Sequence, residues 1–347
     1  MGSHRSLPGV LEQAIADRVI PGAVYRVSRH GRVVAHGAVG NRALKPRREA
    51  ATEDTIYDCA SVTKPVAGAT AFMILRQQGK IKLDDRVRRF YPKAPAAIGK
   101  VTMLQLLTHV SGLPAWAALY RQVTSPEQLI QGILQMKLQA PPGTKHTYSC
   151  LGYLLLGAIM QQVAEETLDD LLRREVYGPL GMVDTGYRPP KHLRPRIAPA
   201  GWCQWRGRDL RGEVHDQNAG AMNGIAANAG LFSTTRDLTR FGQMILRGGE
   251  SILTRESIRY LTHRQTPKKV AFQAVGWWLN GNDMIPTYPG FSPQTIGHTG
   301  FTGTSVVIDL SAELIVVLLA NRTLLGEPAF VPVRRRFHRQ VQARAQR

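Results

Sequence analysis

Between Glu313 and Ala320 the chain reads Glu-Leu-Ile-Val-Val-Leu-Leu-Ala, with no polar residue after the first. A run of this length rich in β-branched residues suits a strand buried on both faces, and it is too short to span a bilayer. Ser311-Ala312 separates it from a second apolar stretch, Thr304 to Leu310, so the pair predicts a tight antiparallel hairpin near the C-terminus. A similar pattern stands at the other end. Ala23 to Ser28 and Arg32 to Val39 flank Arg29-His30-Gly31, a second hairpin with glycine in its turn. A strand buried on both faces needs neighbours on both sides. The two ends of the chain therefore predict one antiparallel sheet, with whatever lies between them inserted.

The intervening sequence is mostly helical in period. Residues 6 to 19 and the segment from Phe330 to Val341 carry apolar residues at helical spacing and predict helices next to the terminal strands. Val66 to Leu75, Leu151 to Met160 and Leu231 to Leu246 read as further helices, the second of them buried. Residues 168 to 177 read as another. Residues 186 to 230 are rich in Gly, Pro, Asn and Arg without clear period and read as a folded set of loops. Trp277 and Trp278, then Gln294 to His298, read as strand. The fold class expected is α/β, an antiparallel sheet built from both chain ends and flanked by helices, with an inserted mainly helical domain. The expected division is 1–80 with 268–347 for the sheet and 81–267 for the insert.

Ser61 is the only serine with a lysine three residues later. Pro65 is tolerated only in the first turn of a helix and Gly79 suits a C-terminal stop, so the helix starts at or just after Ser61. Residues three apart share a face, which places the Ser61 hydroxyl beside the Lys64 amine. An amine can take the proton that an alcohol must lose to become a nucleophile. The helix N-terminus adds donors that favour an oxyanion. The same pair also fits a capping serine and a surface lysine, and such a spacing arises by chance in chains of this size.

Charge points elsewhere. Lys and Arg number 45 against 25 acidic residues, a formal charge of +20, which raises a nucleic-acid or anionic-wall partner. The arginines are scattered and form no nucleic-acid-binding signature, so a solvated basic surface is expected and nucleic acid is not. Cys59, Cys150 and Cys203 have no metal-ligand spacing and are expected as free thiols. The ten histidines show no paired ligand spacing, no cofactor is expected, and no Gly-x-Ser-x-Gly elbow is present. The N-terminus shows no basic region followed by an apolar core, although Met1-Gly2-Ser3-His4 could stand where a leader was removed. The cytoplasm is expected for the chain as given, an extracytoplasmic site if a leader was lost.

Several further motifs occur in order: Leu106-Leu107-Thr108-His109-Val110-Ser111-Gly112-Leu113-Pro114, Pro142-Gly143-Thr144 leading to Tyr148-Ser149-Cys150, Pro179-Leu180-Gly181-Met182, Gly230-Leu231-Phe232-Ser233-Thr234, and Gly297-His298-Thr299-Gly300. Together with Ser61-Val62-Thr63-Lys64 they resemble the serine β-lactamase-related superfamily, in its class C-like branch of β-lactamases, family VIII carboxylesterases, DD-peptidases and D-aminopeptidases. The resemblance runs from about Pro21 to Asn321.

The resemblance implies that Ser61 is acylated, with Lys64 and Tyr148 sharing the proton transfers. It implies that the Ser61 and Phe301 backbone donors form the oxyanion hole, and that His298, Thr299, Gly300 and Cys150 face the substrate. Gly300 is expected to let the substrate lie against the strand. His109 and Ser111 are expected to fix a loop, and His215-Asp216 resembles a motif at the site entrance. The second motif ends in Cys150 where the family usually has asparagine, and the third carries His298 where most penicillin-recognising members have lysine. Those departures lead to the expectation of a carboxylesterase on short or medium acyl esters with weak β-lactam turnover. The alternatives are a β-lactamase or D-amino-acid or DD-peptidase using the same residues and, more remotely, a catalytically silent basic binding module. The expected partner is a small ester or amide.

Overall fold

A computed structural model describes residues 6–281 and 290–345; Met1 to His4 lie outside the described residues. Among the described residues twelve strands occur in chain order: β1 (Gly22–Arg29), β2 (Arg32–Ala43), β3 (Glu49–Ala50), β4 (Tyr57–Asp58), β5 (Gly186–Tyr187), β6 (Gly201–Cys203), β7 (Arg208–Leu210), β8 (Leu231–Ser233), β9 (Trp278–Leu279), β10 (Thr295–Thr299), β11 (Ser305–Asp309) and β12 (Leu314–Ala320). Seven form one sheet in the order β3-β2-β1-β12-β11-β10-β9, and its assigned neighbours pair antiparallel. β12 lies between β1 from the N-terminal hairpin and β11, which is the sheet expected from the two chain ends.

Every residue of β12 is buried, and alternation divides them between two cores. Val316, Leu318 and Ala320 pack with Leu7, Leu11, Phe337 and Val341 beneath the terminal helices Leu7–Ala16 and Val331–Ala345. Ile315, Val317 and Leu319 join the larger core on the opposite face. The N-terminal hairpin turns on His30 (φ 49°) and Gly31 (φ 74°), the two positive angles that a two-residue turn matched to strand twist requires.

The helix Thr235–Leu246 packs on β1 and β12 and carries Leu238, Phe241 and Ile245 into the larger core. It belongs to the 81–267 segment in sequence but covers the sheet in space, so the packing crosses the boundary expected at residue 267. The apolar stripe that predicts this helix does not say which surface it covers. Residues 186 to 230, expected as loops, contain β5, β6, β7 and the short helix Gln217–Ala221. β5 pairs with β8, and β8 with β4, in a three-stranded sheet. These strands are two or three residues long, below what a period-2 pattern can reveal. Among the described residues no helix is long and apolar enough to cross a membrane.

Candidate active site

Ser61 is held by what precedes it. Tyr57 and Asp58 pair with Ser233 and Phe232, and the Cys59 N–H continues to the Leu231 carbonyl at 2.8 Å. The chain then turns sharply at Ala60, whose φ of 45° is unusual for a residue with a Cβ. Its N–H donates to Asp58 Oδ1 at 2.8 Å, which secures that conformation. Ser61 lies in a first tight turn (Ala60–Val62), followed by a wide turn (Lys64–Ala69) and a regular helix (Thr70–Gln77). The helix start is where Pro65 places it.

Lys64 is fully buried and its Nζ donates to Ser61 Oγ at 3.0 Å, to the Asn228 carbonyl at 3.0 Å and to Cys150 Sγ at 3.4 Å. The last two contacts come from far along the chain. The segment around Ala227 reaches Lys64 because Gly68 and Gly157 leave it room. A Cβ on Gly68 would stand 3.0 Å from the Ala227 carbonyl oxygen, and one on Gly157 2.9 Å from the Ala227 nitrogen.

Tyr148 stands over the same amine, 4.8 Å from ring centre to Nζ. Ser149 orders it by capping the helix Cys150–Ala164, its Oγ accepting from Gly152 N at 3.1 Å and donating to the Pro114 carbonyl at 2.6 Å. The Ser149 N–H donates to His109 Nδ1 at 3.0 Å, so that nitrogen carries no proton. The His109 ring is 4.6 Å from that of Tyr148. His109 thus fixes the tyrosine segment, in keeping with the positioning part expected of it. Ser111 Oγ accepts from Leu113 N within its own turn.

Electrostatics define the resting state. Burial opposes the Lys64 ammonium, yet Cys150, Tyr148 and the hydrogen bond with Tyr148 outweigh it and hold the amine above its ordinary value. Burial raises the Tyr148 phenol, against the pull of Lys64 and a hydrogen bond with Ser61. Burial likewise raises the Cys150 thiol. His298 is pushed well below the usual imidazole range by burial and by the Lys64 charge. At neutral pH the cluster is therefore an ammonium, a phenol, a thiol and a neutral imidazole.

His298 stacks on Trp278 at 4.1 Å and its Nδ1–H donates to the Thr299 carbonyl at 2.9 Å. It is buried and faces Tyr148 at 6.0 Å between ring centres. Thr299 ends β10 opposite Ser305. Gly300 has a different reason from the one expected. A Cβ there would meet Thr304 Oγ at 2.1 Å and the Cys59 carbonyl at 2.4 Å, so close approach to the loop before Ser61 forbids a side chain. The turn after it is bolted to that loop. Thr304 Oγ donates to the Cys59 carbonyl at 2.9 Å and Thr302 Oγ to the Asp58 carbonyl at 2.8 Å.

Gly300→Ala is expected to force these segments apart and to lower stability by about 1–3 kcal/mol, the usual range for overfilling a packed site. Hydrolysis should fall with it, since Phe301 and Ser61 would separate. Calorimetry together with ester kinetics checks this, and an alanine variant with wild-type unfolding temperature and rate would contradict it.

Ser61, Tyr148, Cys150 and Phe301 line one cavity of about 370 Å³, joined there by Trp116, His215, Asp216 and Glu327. His298, Thr299, Gly300 and Lys64 lie behind or beside its wall. His215 stacks on Phe301 at 5.6 Å, and its N–H donates to Asp58 Oδ2 at 2.7 Å. Asp58 thus joins three segments: the Ala60 turn, the His215 loop and, through its carbonyl, Thr302. Burial raises its carboxyl, against the two N–H groups that it accepts. Sequence reasoning passed over Asp58, although it stands three residues before Ser61, because an acid before a helix reads as an ordinary cap. The Asn228 contact is made by a backbone carbonyl and leaves no trace in residue type.

The family description "Beta-lactamase" matches residues 8–340. A protein of Escherichia coli K12 named "Putative D-alanyl-D-alanine carboxypeptidase" is 35% identical over 308 residues, covering 78% of this chain and 70% of that protein. Among solved structures, the hydrolase EstCE1, described as having promiscuous acyltransferase activity, superposes with TM-score 0.77 at 23% identity, covering 98% of both chains. A class C β-lactamase from Rhodobacter sphaeroides gives TM-score 0.77 at 20% identity, covering 97% of this chain and 98% of that one. At those identities the two structures speak to the fold, which is β-lactamase/transpeptidase-like. The match over nearly the whole chain and the 35% relative establish more: this chain belongs to the beta-lactamase family, within the serine β-lactamase-like superfamily of β-lactamases, esterases and DD-carboxypeptidases.

Proposed function

We propose that the chain is a serine hydrolase that forms an acyl-enzyme on Ser61, with Lys64 and Tyr148 moving the protons. The observation that carries this is the buried Lys64 amine, 3.0 Å from Ser61 Oγ and 4.8 Å from the centre of the Tyr148 ring, with Ser61 and Tyr148 both lining an open cavity. Once the Lys64–Tyr148 pair has given up one proton to solvent, the Ser61 oxygen attacks an acyl carbon while its own proton passes into that pair. The resulting oxyanion faces the backbone N–H groups of Ser61 and Phe301. Collapse breaks the bond to the leaving group, which takes a proton from Tyr148. A water molecule then repeats the attack and releases the acid. Each well-placed oxyanion donor contributes about 10²–10³-fold in enzymes of known mechanism.

Two substrate readings share this chemistry. Cleavage of a D-alanyl-D-alanine peptide end is supported by the name of the 35% identical relative, and the equivalent protein of Salmonella paratyphi A, 33% identical, carries the same name. We place it ahead of the carboxylesterase reading, which rests on Cys150 and His298. Cys150 and His298 count against both amide substrates, and with the relatives' name favouring the peptide, β-lactam turnover ranks behind the other two.

The test is to label the protein with a fluorophosphonate and follow two substrates, diacetyl-L-Lys-D-Ala-D-Ala and p-nitrophenyl butyrate. The expected result is one adduct on the Ser61 peptide with parallel loss of both activities, D-alanine release being the measure of the first reading. An adduct elsewhere, or activity surviving full labelling of Ser61, would overturn the assignment.

A further inference from the structure

The wall of the cavity around Ser61 has a charge and a surface that the proposed chemistry does not use. Among the described residues two carboxylates line it, Asp216 and Glu327, and no lysine or arginine does. The nearest cations are committed elsewhere. Lys64 lies behind Ser61 with three partners. Arg322 sits 4.5 Å from the Phe301 ring, donating Nε to the Phe301 carbonyl and Nη1 to the carbonyls of Glu327 and Pro328, and its charge acts in part on the Glu327 carboxylate. His298 is neutral and buried. His215 Nε2 stands 3.8 Å from Glu327 Oε1.

The second observation is aromatic. Trp116 and Phe301 line the same cavity and are 47% and 48% exposed, unusual for such large apolar side chains, and Tyr148 adds a third ring. Aromatic faces attract weakly hydrated cations, and quaternary ammonium groups are the ligands most often recognised in this way. Carboxylates beside such faces add to the attraction. A carboxylate on the acyl part, by contrast, would meet two like charges and no free donor cation. The molecule's net charge of +20 draws anions at long range, but salt at about 0.15 M screens that field beyond roughly 8 Å. Inside the cavity the local carboxylates decide.

We infer that the site selects substrates whose acyl part carries an alkylammonium group. The acyl part is singled out because it stays in the cavity through both halves of the reaction, whereas the leaving group departs after the first. Glu327 is the specificity-determining residue best suited to a test, since its side chain is 45% exposed and supports no helix. Asp216 caps the helix Gln217–Ala221 through Ala219 N and accepts from Asn228 Nδ2, so its replacement would disturb more than charge. This inference rests on the acyl-enzyme reading above.

The experiment compares three p-nitrophenyl esters at about 0.15 M salt: 4-(trimethylammonio)butanoate, its neutral isostere 5,5-dimethylhexanoate, and the anionic half-ester of glutarate. The expected order of kcat/KM is cation, neutral, anion, with about fivefold between the first two and a larger gap to the third. Glu327→Gln should lower the ratio of cation to neutral by about threefold, and Glu327→Lys should reverse it. Because the readout is a ratio within each variant, a general loss of activity cancels. A neutral isostere turned over at least as fast as the cation by the wild type, or a ratio unmoved in both variants, overturns the inference and leaves the hydrolase reading intact. No hydrolysis of any of the three overturns both.

Discussion

Ser61→Ala is expected to reduce ester hydrolysis by at least about 10⁴-fold, the scale on which acyl-transfer enzymes respond to loss of the nucleophile. The fold should survive, because Ser61 is only partly buried and its hydroxyl is one of three acceptors around Lys64. Asn228 O and Cys150 Sγ remain to receive the amine. Cys150 is itself a potential nucleophile at the same amine, but burial keeps its thiol protonated, so it should not rescue the variant. Stopped assays, intact mass after substrate and thermal unfolding check the three parts separately. A folded alanine variant that retains a tenth of the wild-type rate would remove Ser61 from the mechanism.

Lys64→Met and Tyr148→Phe should each lower kcat by about 10³-fold or more, and the double variant should be little worse than the poorer single one. The two groups act on one proton, so removing either disables the pair. Losses that multiply would mean independent roles. The pH profile follows from the same cluster. Both Lys64 and Tyr148 are held above their ordinary values, so the form able to accept a proton grows as pH rises. The wild-type rate should climb from neutrality to about pH 9 or beyond, and the residual rate of Tyr148→Phe should show a different dependence. A maximum near pH 5 would indicate a carboxylate base instead. Lys64→Met also separates activity from stability. A buried ammonium is costly to desolvate, and replacing it with an apolar chain of similar length is often neutral or stabilising. The unfolding temperature should stay level or rise while catalysis is lost.

What could be read from the sequence were features carried by residue type at short spacing. Ser61 and Lys64 meet because three residues bring them to one helix face, and β12 is legible because an unbroken apolar run admits one environment. Tyr148 needed order as well as spacing, since a single tyrosine before an apolar helix is usually core. The rest depends on pairs far apart in the chain. Asp58 reaches His215 across 157 positions, and Thr304 reaches the Cys59 loop across 245. The reason for Gly300 is a carbonyl oxygen from that loop, and the placement of Thr235–Leu246 on the sheet is set by the strands it covers. The inferred substrate preference rests on Asp216, Glu327 and Trp116, which share no local pattern and converge only when the fold closes.

The bolting of the Thr302 and Thr304 hydroxyls onto the loop before Ser61 bears on how the enzyme is born. During synthesis Ser61, Lys64 and Tyr148 are made more than 150 residues before Phe301 and the turn that carries it. β1 and β2 must meanwhile wait for β12, their partner in the sheet, while exposing strand edges that invite wrong pairings. A nascent chain therefore holds the proposed nucleophile and proton carriers through more than 150 residues of elongation without the surface that would stabilise an oxyanion. On the proposed mechanism acylation waits for the Phe301 turn, and the interval before β12 is made is when this protein most needs protection from aggregation.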